Sequence, residues 1–86
     1  MPKRIYRLKD LKRYPCPHCG CVPWRRTWRA NKGWMAYVWH GGEAQKDGYS
    51  FTHDVEVEID PQPTSTAAVD KAVRAWIEGT GRKVEG

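Results

Sequence analysis

The chain has 86 residues, with 15 Lys+Arg against 10 Asp+Glu, three Cys, five Trp and 40% apolar residues. Folding hides only about 60% of the unfolded surface at this size, which predicts one small domain needing an extra staple and argues against a large enzyme. No apolar run approaches the ~20 residues of a membrane span, and the basic N-terminus lacks the apolar stretch of a signal peptide, so a membrane protein or a secreted, disulfide-rich toxin is not expected.

Residues 1–14 carry Lys3, Arg4, Arg7, Lys9, Lys12 and Arg13 against Asp10, which accounts for the whole net charge of +5. They read as a basic N-terminal arm. Residues 41–86 hold more acids than bases, so the chain is dipolar along its length. A basic front half suggests an anionic partner, nucleic acid being the usual one; a solvated arm that only aids solubility is the plainer reading. Ile5, Leu8, Leu11 and Tyr14 recur every third residue, consistent with a helical turn or two, or with an arm lying across the domain.

Pro15 and Pro17 then disfavour helix, and Cys16-Pro17-His18-Cys19-Gly20-Cys21 reads as a tight turn. From Val22 to Arg29 the pattern is strand-like, with Val22, Trp24, Arg26 and Trp28 sharing one face. Asn31-Lys32-Gly33 reads as a three-residue hairpin loop. Trp34, Ala36, Val38 and His40 share a face of a second strand, which Gly41-Gly42 ends. After a polar segment with an Asp47-Gly48 turn signal, residues 51–60 alternate. Phe51, His53, Val55, Val57 and Ile59 form the buried side, and Thr52, Asp54, Glu56, Glu58 and Asp60 the solvated one.

Pro61-Gln62-Pro63 is a connector, after which Ser65 or Thr66 can cap a helix. Val69, Ala72, Val73, Trp76 and Ile77 make a single apolar stripe, and Gly79 supplies a left-handed stop. The expected organisation is arm 1–14, domain 15–79 and flexible tail 80–86. The expected fold is α+β: a small zinc-ribbon-like, three-stranded antiparallel sheet with one C-terminal helix packed on it.

Three cysteines in a reducing cytoplasm suit a metal better than disulfides. The spacing Cys16-x-x-Cys19, with Pro17 inside and Gly20 after, lets two thiolates reach one tetrahedral zinc ion at about 2.3 Å. His40 and His53 fall on the inward faces of adjacent strands, where an isolated polar group is costly. Cys16, Cys19, His40 and His53 would close a structural Zn2+ site with no open position. Cys21 or His18 could replace one of the histidines. A redox reading of Cys-Pro-His-Cys is disfavoured, because no helix follows to lower the pKa of its first thiol.

Residues 22–40 interleave Trp24, Trp28, Trp34, Tyr37 and Trp39 with Arg25, Arg26, Arg29 and Lys32. Aromatic faces that stack bases beside cations that contact phosphate are a means of binding single strands. Trp24, Trp28 and Trp34 are expected in the core, since the chain has few other large apolar residues. Tyr37 and Trp39 lie on the opposite face of their strand and suit either nucleic acid or a protein hot spot. No catalytic constellation stands out, so binding rather than catalysis is expected.

Tyr14-Pro-Cys-Pro-His-Cys-Gly20 resembles the N-terminal knuckle of small phage and prophage zinc-ribbon proteins of the Lar, or restriction alleviation, type. Ala68-Val-Asp-Lys-Ala-Val-Arg-Ala-Trp-Ile77 resembles their C-terminal helix, and Tyr37-Val38-Trp39-His40 sits where they have a strand entering a second knuckle. This chain lacks the second Cys-x-x-Cys, and His40 stands in the place of its first cysteine. The resemblance implies a phage protein in the bacterial cytoplasm that moderates host type I restriction by binding a host protein complex. The partner-binding residues would be Lys3, Arg4, Arg7, Lys12 and Arg13 of the arm, with Arg25, Arg26, Arg29, Tyr37 and Trp39. The alternative is a nucleic-acid-binding zinc ribbon using the same arm and strands.

Overall fold

Period-two alternation and one helical stripe assemble into two layers. The computed structural model describes residues 5–46 and 48–81; Lys3, Arg4, Asp47 and residues 82–86 of the expected tail lie outside them. Strands β1 (Trp24–Ala30), β2 (Gly33–Lys46) and β3 (Tyr49–Glu58) form an antiparallel sheet in the order β1-β2-β3. Helix α1 (Ser65–Gly79) packs on the sheet, and a 3-10 helix (Leu8–Lys12) packs against α1. The fold is thus the expected α+β arrangement.

The turns differ in detail from the expectation. The first hairpin loop is only Asn31 and Lys32, because Gly33 already pairs with Ala30. β2 does not stop at Gly41-Gly42 but runs to Lys46, since β3 begins at Tyr49 and supplies partners that far. β2 pairs with β1 over residues 33–39 and with β3 over residues 37–46. The sheet is therefore three strands wide only at residues 37–39, and beyond Trp39 it is a two-stranded ribbon.

Thr64, rather than Ser65 or Thr66, caps α1. Its backbone is extended (φ −137°), and its Oγ1 accepts the Ala67 N–H at 3.1 Å. At the other end Gly79 is still helical and Thr80 is the C-cap, its hydroxyl donating to the carbonyls of Trp76 and Ile77. The left-handed glycine comes later, at Gly81 (φ 79°).

The core lies between sheet and helix. Ala68, Ala72, Val73, Trp76 and Ile77 of α1 meet Ala36, Val38, Val57, Ile59, Tyr6, Leu11 and Cys16. Trp76 is fully buried, a burial worth roughly 4–6 kcal/mol before entropic costs. The N-terminal segment lies across the domain and enters this core at Tyr6 and Leu11, both fully buried. The Tyr6 backbone N–H donates to Asp70 Oδ1 at 2.8 Å, and the Arg74 guanidinium, bonded to Asp70, stacks 4.9 Å from the Tyr6 ring centre.

The tryptophans of β1 are not core residues. Trp34 packs against the core, but Trp24 is 51% exposed and Trp28 only half-buried. Cross-strand partners share a face, and the register sets Thr27 opposite Ala36 and Arg25 opposite Val38. β1 therefore turns Thr27 toward the helix side and its tryptophans away. The rings of Trp76 and Tyr6 occupy the core that β1 was expected to fill, and small residues such as Ala36 complete it.

Candidate metal centre

The cysteine turn is closed by its own backbone. The Cys16 N–H donates to the Cys21 carbonyl, and the Gly20 N–H donates to the Cys16 carbonyl, both at 2.8 Å. Gly20 makes this reversal with φ +76°, a conformation that favours glycine. Cys16 is buried in the core cluster, whereas Cys19 lies at the surface.

The sheet brings the histidines to the turn. His40 on β2 pairs with Val55, and His53 on β3 pairs with Gly42, so the two imidazoles are diagonal neighbours on the helix side. Their ring centres are 5.2 Å apart. Cys19 Sγ lies 2.8 Å from His40 Nε2 and 3.7 Å from His53 Nε2. One donor atom from each of Cys16, Cys19, His40 and His53 lies within 4.8 Å of the other three. A tetrahedral ion with metal–ligand bonds of 2.0–2.3 Å has donor–donor edges of about 3.3–3.8 Å. The Cys19–His53 separation already matches such an edge, and small side-chain shifts bring the rest to it. These four residues could hold a metal ion.

The other two candidates stand beside the cluster. The Cys21 thiol is exposed and faces the Cys19 carbonyl at 4.0 Å. The His18 ring lies 5.2 Å from that of His53 and is exposed. Among the described residues, no other group of three or more His, Cys, Asp or Glu side chains converges in this way.

On the opposite side of the sheet lies a second constellation. Trp24, Arg26 and Trp28 of β1 share this outer face with Tyr37 and Trp39 of β2 and with Asp54, Glu56 and Glu58 of β3. The Tyr37 hydroxyl donates to Glu56 and the Trp39 indole N–H to Asp54, each at 2.6 Å. Trp24 meets Tyr37 edge to face at 6.0 Å, and the Arg26 guanidinium lies 5.4 Å from the Trp28 ring centre. The hydrogen bond to Glu56, with the negative charges of Glu56, Asp54 and Glu58, pushes the Tyr37 phenol up to about 12.

The expected partner residues are thus divided between two sides. Arg26, Tyr37 and Trp39 lie on the outer face, while Arg25 and Arg29 lie on the helix side of the edge strand. Arg7, Lys12 and Arg13 are exposed around the 3-10 helix, also on the helix side. Sequence reasoning missed Trp24 and the three carboxylates as parts of one surface. The only signal available was the strict alternation of residues 51–60, which separates the acids from His53 but does not say which aromatics face them.

Comparison with family models, curated proteins and solved structures finds no match for the chain.

Proposed function

We propose that this chain is a zinc-stapled binding module, with Zn2+ held by Cys16, Cys19, His40 and His53. The convergence of these four donors carries the reading. Two thiols and two imidazoles suit zinc, whereas magnesium and calcium want oxygen. Two thiolates also neutralise the ion's charge, which favours a partly buried site. Four protein ligands leave no coordination position for substrate, so the ion is structural and the domain acts by binding. Metal analysis of untagged protein should find one zinc per chain. A folded, metal-free protein, or a coloured iron–sulfur chromophore, would overturn the assignment.

The finer role follows from the resemblance to restriction-alleviation proteins: a phage-encoded counter-defence protein that contacts a host protein complex in the bacterial cytoplasm. The knuckle from Tyr14 to Gly20 and the helix motif from Ala68 to Ile77 support it, and so does the exposed aromatic face around Tyr37 and Trp39. No described helix is long and apolar enough to cross a membrane. Affinity capture from host lysate tests this role, and failure to recover any protein partner would end it. A second reading, nucleic-acid binding, is favoured by the exposed Arg7, Lys12, Arg13, Arg25 and Arg29 on the helix side. Contact with about six phosphates would weaken affinity by roughly 10³-fold between 50 and 200 mM salt.

A further inference from the structure

The outer face of the sheet differs in chemistry from the basic helix side. Trp24 is 51% exposed and Trp39 36%, a large aromatic area to leave in water on so small a domain. Asp54, Glu56 and Glu58 form a row along β3 beside these rings, all three exposed. Arg26 is the cation that β1 contributes to this face, and its guanidinium already lies against Trp28.

The rings are held in place before any partner arrives. Asp54 fixes the Trp39 indole and Glu56 fixes the Tyr37 hydroxyl, while Trp24 leans edge-on against Tyr37. Gly41 completes the arrangement: a Cβ there would sit 2.8 Å from the Trp39 ring, so only glycine lets the indole lie along the strand. Rigid aromatics lose little freedom on binding, which is what an efficient recognition surface requires.

We infer that this face docks a lysine- or arginine-bearing segment of a partner protein, its side-chain cations over Trp24, Tyr37 and Trp39 and against the carboxylates of β3. The inference rests on the reading of the chain as a protein-binding module and names the chemistry of its partner. Aromatic faces attract cations through their quadrupole, and a flanking carboxylate adds direct charge pairing. The same carboxylates repel phosphate, which disfavours a nucleic-acid strand here. They also repel one another, which disfavours two copies meeting through this face.

Glu58 and Trp24 are the residues to change. Glu58 carries charge to the face while Tyr37 and Trp39 are held by other acids, and Trp24 is exposed enough that truncation leaves the core untouched. The zinc-loaded full chain, labelled with 15N, is titrated with three probes: an extended peptide alternating Lys and Arg with Gly, its Glu-for-Lys/Arg counterpart, and a single-stranded oligo-dT. The cationic peptide should shift the indole N–H resonances of Trp24 and Trp39 and the amides of residues 54–58, leaving the Trp76 indole unmoved. E58Q and W24A should each weaken this binding about three- to tenfold, within the range of a single cation–π or ion-pair contact. The inference is overturned if the cationic peptide leaves this face unshifted, if either variant binds it as tightly as wild type, or if oligo-dT shifts the same indoles. Concentration-dependent self-association through these residues would overturn it as well. If a protein captured from lysate is retained equally by wild type, E58Q and W24A, the binding-module reading survives and the docking face does not. If no protein is captured at all, the broader reading fails.

Discussion

Trp76 donates its indole N–H to the carbonyl of Tyr14 at 2.8 Å, although the two residues lie near opposite ends of the sequence. The bond joins the helix to the segment that leads directly into the cysteine turn, so the core and that turn share an anchor. Trp76→Phe keeps most of the ring but removes this hydrogen bond, and should cost about 1–3 kcal/mol. Trp76→Ala should cost about 3–5 kcal/mol. Urea unfolding of the zinc-loaded protein measures both, and equal stability of wild type and Trp76→Phe would contradict the role given to the bond.

The ligand set predicts a sharp division among cysteine and histidine variants. Cys16→Ser, Cys19→Ser, His40→Ala and His53→Ala should each lose the bound zinc, whereas Cys21→Ser and His18→Ala should retain one ion per chain. Structural zinc contributes about 10–16 kcal/mol in small zinc domains, comparable with or larger than the ~5–15 kcal/mol total stability of an ordinary domain. A strong chelator should therefore lower the unfolding midpoint severely. Zinc loss in Cys21→Ser with retention in His53→Ala would reassign the site.

Gly41→Ala should destabilise the protein by about 1–3 kcal/mol, the usual cost of overpacking. The added methyl would meet the Trp39 ring at 2.8 Å and the His53 carbonyl at 3.0 Å. Relief requires the indole to leave Asp54, which can be followed through the Trp39 N–H resonance. An unshifted resonance and unchanged stability would refute this account of the glycine.

Tyr37 should ionise well above the ordinary range of a phenol. Its folded pKa of about 12 lies above the ordinary 10.0, so the neutral phenol bonded to Glu56 is favoured by folding. That contribution is fully present below about pH 10 and is lost as pH rises through about 12. Tyrosinate absorbance against pH should show a late phenol for Tyr37, and Glu56→Gln should bring it back toward the ordinary range. A late phenol in both proteins would mean that Glu56 is not the cause.

Much of the sheet was legible because period two is a local property. Alternation from His53 to Ile59 identified a strand with one buried side, and the spacing from Val69 to Ile77 identified the helix. The four clustered donors could be chosen for the same reason, since His40 and His53 had the phase of their buried neighbours. What local pattern cannot give is the sign of a face. Trp24 and Trp28 were grouped correctly, but which side of β1 meets the helix depends on pairing with Ala36 and Val38. Tyr6 was missed because it falls outside the every-third-residue pattern of Ile5, Leu8, Leu11 and Tyr14; its burial depends on Asp70 and Arg74, which are remote in sequence.

Beyond Trp39, β2 has β3 as its ladder partner, and an isolated two-stranded ribbon is at best marginally stable in water. His40 and His53 sit on the inner side of that ribbon, facing the cysteine turn. An ion held there would therefore set how far the cooperative unit of the protein extends. With an ion bound, those amides of residues 41–46 and 49–53 that bond across the β2–β3 ladder should exchange with solvent only as fast as the ion is released or the core opens. Without it they exchange by fraying, while the three-strand region around Val38 keeps its protection from Trp76 and its neighbours.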